Sequence, residues 1–459
     1  MSPVAAWASP ATGWPSFQGG PAHLGVAPDG APGPALRAVG CAGSAKGSGT
    51  AAVAVAGELA VAVEESAVVG YDLLALEVRH ETCASRLQPA WSLKRAAGNA
   101  VAPVLDPTAG AHGVLVYVEG RTPPDSAVVA VDLSTRAEVW RHKLSGPVRA
   151  PLALDGDKVV MGGSDGFVYL IDAGTGAINW RRSVGAPIDA APAAADGRVV
   201  AVSENATTGR ATLTAIDEAN GTVTWSHDFI SGLGSSAPSI SGGLVFVGFG
   251  DLSVRAFHLD DGVAAWTRSQ PVRDLFSFLT SPAVSGNALY MADRRGGVYR
   301  FDTRTGTRQW DYQFTQDILW SAPLVAGSTL YVGLEDGTVA ALDTATGNLR
   351  WRGTFGLGPI GAITPAGSVL LAPGVGANGG VLVLAHDPSG TLLDQESPTH
   401  LHLPLALAWY GGAFVVMLGA ILGLFLLVER RSGRPVLPGV PTIGESSNDA
   451  DASTEDGAT

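Results

Sequence analysis

Residues 151–180 read PLALDGDKVVMGGSDGFVYLIDAGTGAINW. Short β-branched and aromatic runs, Val159-Val160-Met161 and Phe167-Val168-Tyr169-Leu170-Ile171, stand between the turn-formers DGD, SDG and GTG. Such runs suit a pleated surface, and turns this short join antiparallel neighbours. The stretch therefore reads as a string of hairpins, about four strands long. In Asp172-Ala173-Gly174-Thr175-Gly176, the Asp carboxylate is placed to bond its own turn backbone, and the last Gly tolerates positive φ. Pro151 fits the start of a strand, where a missing N–H costs least.

The unit recurs. Ala322-Pro323 opens PLVAGSTLYVGLEDGTVAALDTATGNLRW, ending at Trp351. Ser281-Pro282 leads to Trp310, Ala191-Pro192 to Trp225, Ala237-Pro238 to Trp266, and Ala102-Pro103 to Trp140 after a longer insertion. Three registers share one period of about 43 residues. Trp stands at Trp91, Trp140, Trp180, Trp225, Trp266, Trp310 and Trp351. Asp stands at Asp72, Asp132, Asp172, Asp217, Asp260, Asp302, Asp343 and Asp387, and Pro at Pro103, Pro151, Pro192, Pro238, Pro282, Pro323 and Pro365. A four-stranded unit of about 40–45 residues is a propeller blade. The last unit, residues 364–391, has an Asp387-Pro388-Ser389-Gly390 turn and no terminal Trp strand. Residues 34–40, PALRAVG, resemble 348–353, NLRWRG, so an N-terminal strand is expected to complete the last blade. The fold class is all-β, an eight-bladed β-propeller over 31–396. Seven blades is the alternative if the degenerate first unit, 49–91, is not a full blade.

The ends differ from this middle. Residues 403–428, LPLALAWYGGAFVVMLGAILGLFLLV, carry no charge. A span of about 20 apolar residues crosses a bilayer, so one transmembrane helix is expected here, after a linker at 397–402. Arg430, Arg431 and Arg434 follow it, and no Lys or Arg flanks its start. That bias puts the C-terminus in the cytoplasm and the propeller outside the plasma membrane. Residues 429–459 are polar and acidic and read as a disordered cytoplasmic tail. Residues 1–30 form an N-terminal segment. Its first 13 residues lack the basic and apolar regions of a signal peptide, but Ala6-Trp7-Ala8 matches a cleavage site. A start codon further upstream would reconcile this with export.

Composition excludes several classes. The chain has 459 residues, a formal net charge of −13, and 4 Lys against 25 Arg with no basic block. Phosphate-tracking nucleic-acid binding, which needs clustered positive charge, is not expected. Apolar residues at 46% argue against global disorder. Two cysteines, Cys41 and Cys83, exclude a CxxC zinc site and a Cys-ligated iron–sulfur cluster. An exported chain could join the two as a disulfide. Scattered His112, His142, His227 and His258 lack metal spacing, and no GxSxG, Walker loop or HExxH occurs. Asn205-Ala206-Thr207 and Asn220-Gly221-Thr222 match glycosylation acceptors, a motif common by chance.

The repeat G-x-(V/L)-x-A-(L/I)-D-x-x-T-G-x-x-x-W resembles that of the pyrroloquinoline-quinone-type propellers. Residues 14–25, WPSFQGGPAHLG, are similar to the W-x-x-F-x-G-x-x-x-x-x-G lead-in of that superfamily. The resemblance implies that Trp140, Trp180, Trp225, Trp266, Trp310 and Trp351 are structural and pack between blades. Its enzyme branch, the quinoprotein dehydrogenases, carries an adjacent Cys pair, a calcium held by Glu, Asn and Asp, and a catalytic Asp. Here the cysteines are far apart and every repeated Asp is accounted for by a turn, so no catalytic, cofactor-binding or metal residues are expected. The scaffold branch resembles the outer-membrane-assembly propellers, which hold no cofactor. This chain departs from them in its C-terminal span and in lacking a lipobox Cys.

Two connectors are unusual, 268–280 (RSQPVRDLFSFLT) and 312–320 (YQFTQDILW). They bring Arg273, Asp274, Phe276, Phe278, Asp317 and Trp320 to one rim as candidate partner-binding residues, since aromatics with an Arg make binding hot spots. Alternatively these aromatics plug the central channel. The function expected is a membrane-anchored, extracytoplasmic, non-catalytic scaffold for envelope proteins. The rivals are a dehydrogenase using pyrroloquinoline quinone and calcium, and a sensor signalling through the single span.

Overall fold

Each repeated unit folds as a four-stranded antiparallel sheet. In residues 151–180 and just beyond, the strands are Ala153–Asp155, Lys158–Gly162, Phe167–Asp172 and Ile178–Ser183, paired in chain order. The middle two are buried along nearly their whole length and the fourth alternates. Neighbouring sheets cover both faces of the middle strands, so those strands are apolar throughout, whereas the fourth keeps one face in water. The computed structural model describes residues 14–27, 31–43, 52–73, 86–230, 234–269, 280–375 and 380–393. All of them belong to one compact unit, Met1–Thr399.

Among the described residues there are eight sheets, seven of four strands and one of five. Their inner strands are Val53–Ala56, Val104–Asp106, Ala153–Asp155, Ala193–Ala195, Ser239–Ser241, Ala283–Ser285, Leu324–Ala326 and Thr364–Ala366, opening blades 1 to 8. The first inner strand packs against the last as well as the second, and Thr364 Oγ1 donates to the Val53 carbonyl at 3.0 Å. Closure is made by the N-terminal strand Leu36–Gly43, which runs antiparallel to Gly380–His386 in blade 8. It extends three residues past the predicted 34–40. Arg86–Leu87 adds a short parallel strand outside it. Blade 1 is a complete sheet, ending in Trp91–Lys94, which overturns the seven-blade alternative.

The D-x-x-T-G turns lock the blades together. Asp172 Oδ1 accepts from the Thr175 N–H and hydroxyl, and Gly176 N–H bonds the Asp172 carbonyl. The Trp of the preceding blade then lies against the Gly. Nε1 of Trp140, Trp180, Trp225, Trp266 and Trp310 donates to the carbonyls of Ala173, Glu218, Leu259, Thr303 and Thr344, at 2.7–3.1 Å. Trp351 is buried as well, in the cluster joining blades 7, 8 and 1. One register residue needs correction. In blade 5 the turn position belongs to His258, whose carbonyl takes the Gly262 N–H, and not to Asp260. The backbone closes this turn by itself, and Asp261 supplies a carboxylate to Val263 N–H instead.

Among the described residues no helix is long and apolar enough to cross a membrane. The predicted span 403–428, the tail and residues 1–13 lie outside them, as does Cys83.

Candidate binding site: the axial funnel

In a four-stranded meander, the loop after the second strand and the connector to the next blade emerge on one face. On that face the eight blades surround a funnel of about 520 Å³. Its throat is formed by small residues just before the inner strands: Ala52, Ala102, Ala191, Ala237, Ser281, Ala322 and Ala362. Five of these precede a repeat Pro. The (A/S)-Pro pair thus has two roles, starting the strand and leaving the axis open.

Phe17 lies at the floor. Beneath it the lead-in 14–27 threads the channel and caps the inner edges of six blades. Carbonyls of Trp14, Pro15, Pro21, Ala22, Leu24 and Gly25 accept from Val55, Leu105, Ala194, Ile240, Val284 and Val325. An inner strand has no further strand beside it, so these N–H groups would otherwise be buried without partners. Gln18 Nε2 donates to the Pro282 carbonyl and His23 Nδ1 bonds that of Pro238. His23 is fully buried, and desolvation lowers its pKa to about 4 despite that bond. The channel is therefore plugged by the lead-in.

Of the predicted partner-binding residues, Trp320 lines the funnel and is 54% exposed, so it does not plug the channel. Asp317 sits on the same connector, its carbonyl taking the Glu335 N–H at 3.0 Å. Arg273, Asp274, Phe276 and Phe278 lie outside the described residues. The funnel also holds charged residues that sequence reasoning missed: Arg149, Asp189, Glu204 and Arg294. Arg149 and Asp189 precede repeat Pro residues by two and three positions, which was the available signal. Their side chains pair at 3.6 Å across two connectors. Glu204 stands on the second strand of blade 4, Arg198–Asn205, which has eight residues where its counterparts in blades 3 and 5 have five. No repeat pattern points to it. Its Oε2 accepts from Gly234 N–H at 3.2 Å, and Oε1 has no partner among the described residues.

A family model described as outer membrane protein assembly factor BamB matches residues 124–274, 205–318 and 276–400, more than half of the chain. The chain belongs to this family. Among the solved structures that share the fold, two are matched over 99% of their own lengths. BamB from Moraxella catarrhalis has a TM-score of 0.59 and 20% identity, over 80% of this chain and 99% of that one. The computationally designed Ika8 protein has a TM-score of 0.59 and 16% identity, over 76% and 99%. A europium-containing methanol dehydrogenase is more distant, with a TM-score of 0.43 and 14% identity over 64% and 92%. No curated protein matches the chain. The family membership agrees with the quinoprotein-type repeat read from the sequence.

Proposed function

We propose that this protein is a non-catalytic scaffold, anchored in the plasma membrane by residues 403–428, that presents its funnel face to protein partners of the cell envelope. The observation carrying the reading is Trp320, a large aromatic left more than half exposed in a funnel whose throat is lined by small residues. Exposed aromatics beside a concave surface are the usual anchors of protein recognition. Family membership supports the assembly role, since the matching family is described as an outer membrane assembly factor. The apolar segment and its following arginines support the anchor and an extracytoplasmic propeller.

The reading includes no cofactor. Calcium takes six to eight oxygen ligands, roughly, from carboxylates and carbonyls. The described residues contain no group of three or more His, Cys, Asp or Glu suited to a metal. Of the two funnel acids, Asp189 is paired with Arg149, which leaves Glu204 as the one of them without an ion pair among the described residues, too few for such a set. These residues do not fit a calcium-bound quinone.

Protease shaving of spheroplasts expressing the chain with a tag at each end tests the topology. Digestion of the propeller with protection of the C-terminal tag is expected. A fully protected propeller would overturn the envelope reading. A photo-crosslinking residue at Trp320 tests the face, and is expected to trap envelope proteins that a probe at the exposed Val263, just before the outer strand of blade 5, does not.

A further inference from the structure

We infer that the funnel accepts a basic side chain of a partner polypeptide, with Glu204 as its counter-charge and Trp320 as its apolar wall. The inference rests on the funnel face being the partner surface and adds the chemistry that it recognises.

Four charged side chains line the cavity. Arg149 and Asp189 answer each other, and Arg294 is engaged in an interaction of its own. Glu204 has no ion pair among the described residues, and its Oε1 is screened from water with no hydrogen-bond partner among them. Ser235 Oγ, which also lines the funnel, has no hydrogen-bond partner among the described residues either. A carboxylate backed by protein on one side is less screened than one surrounded by water, so its field in the adjoining cavity is stronger. Trp320 supplies an indole face, which attracts both the aliphatic stem and the charged head of Lys or Arg. The small throat and the Phe17 floor admit a narrow, apolar stem, and about 520 Å³ is the size of a pocket that buries a few side chains. The extended hairpin of blade 4 raises Glu204 along the wall, where an inserted loop would meet it. Residues 1–402, which the proposed topology puts outside, carry a formal net charge of −10, which draws cationic segments toward the propeller in the first place.

Fluorescence anisotropy with two labelled decapeptides tests this on the whole chain in detergent. One peptide carries a central arginine and the other carries citrulline, its neutral isostere, at the same position. The arginine peptide is expected to bind about tenfold or more tighter. Glu204→Gln is expected to abolish that preference without lowering the melting temperature. Ala237→Leu, or Ala362→Leu if the first is poorly folded, is expected to weaken both peptides by filling the throat. Equal binding of the two peptides, binding of neither, or an arginine preference that survives Glu204→Gln overturns the inference. Agmatine that competes at the same concentration as the peptide assigns the site to a small cation and overturns the polypeptide assignment. Envelope crosslinks from Trp320 without an arginine preference remove this inference alone. Absence of such crosslinks removes the scaffold reading, whatever the peptides do.

Discussion

The indole of Trp266 in blade 5 occupies the space that a Cβ on Gly306 of blade 6 would need, 2.5 Å from its ring. Gly176, Gly221, Gly262 and Gly347 stand in the same relation to Trp140, Trp180, Trp225 and Trp310, at 2.5–2.7 Å. The last Gly of each D-x-x-T-G turn therefore serves two demands at once. It takes a positive φ, +64° at Gly306, and it receives the neighbouring blade.

The two demands are separable by mutation. Trp266→Ala is expected to cost about 3–5 kcal/mol, the range for a buried aromatic. Gly306→Ala is expected to destabilise the native protein strongly and the Trp266→Ala protein much less, because only the φ strain remains once the ring is gone. Urea unfolding of the two single variants and the double variant measures the coupling. Additive losses would show that ring and glycine do not compete for space.

Arg136 is the exception among these turns. It occupies the glycine position of blade 2 at φ +63°, and its guanidinium lies over the Trp91 ring at 4.5 Å. A left-handed non-glycine residue costs about 1–2 kcal/mol, and the cation–π contact returns about 0.5–2 kcal/mol. Arg136→Ala is expected to lower the melting temperature, since it keeps the strain and loses the contact. Arg136→Gly is expected to recover most of the loss. A glycine variant less stable than the alanine one would contradict this balance.

His23 makes the plug sensitive to acid. Its folded pKa, about 4, lies below its ordinary 6.5. Between those values the unfolded chain binds a proton that the folded one does not, so stability falls as pH drops from about 6.5 to 4. Full burial of the ring makes the total loss about 3 kcal/mol. Unfolding midpoints at pH 7 and pH 4.5, compared with those of His23→Asn, are expected to show a slope in the native protein that the variant lacks.

Glu218 works in the opposite sense. Desolvation first, then the charge of Asp155, a hydrogen bond to it and the charge of Asp217, raise its pKa from 4.5 to about 7. The folded state holds a proton that the unfolded chain releases, so stability is lost as pH rises from about 4.5 to 7. Its backbone carbonyl receives the Trp180 indole N–H, which places the pair at a blade junction. Asp155→Asn is expected to flatten the stability profile over that range, read as urea midpoints at pH 5 and pH 7.5. An unchanged slope would separate Asp155 from the titration.

The repeat made most of the fold legible. Hairpins around Asp-x-x-Thr-Gly, a Trp every 43 residues or so, and the likeness of 34–40 to 348–353 sufficed for eight blades and for closure by both chain ends. These are local signals, repeated, and their meaning does not depend on distant partners. His258 escaped because a backbone-closed turn imposes no particular side chain on that position. The site was less legible. Trp320 was visible as an aromatic in an odd connector, but Glu204 stands apart from every repeat register and reaches the funnel only because one hairpin is longer than its neighbours. The lead-in was recognisable as a motif, yet its path could not be read from it. Periodicity determines which residues face a neighbouring blade. What lies along the axis is decided by eight strands meeting there from across the chain, and by which N–H groups and charges that convergence leaves without partners.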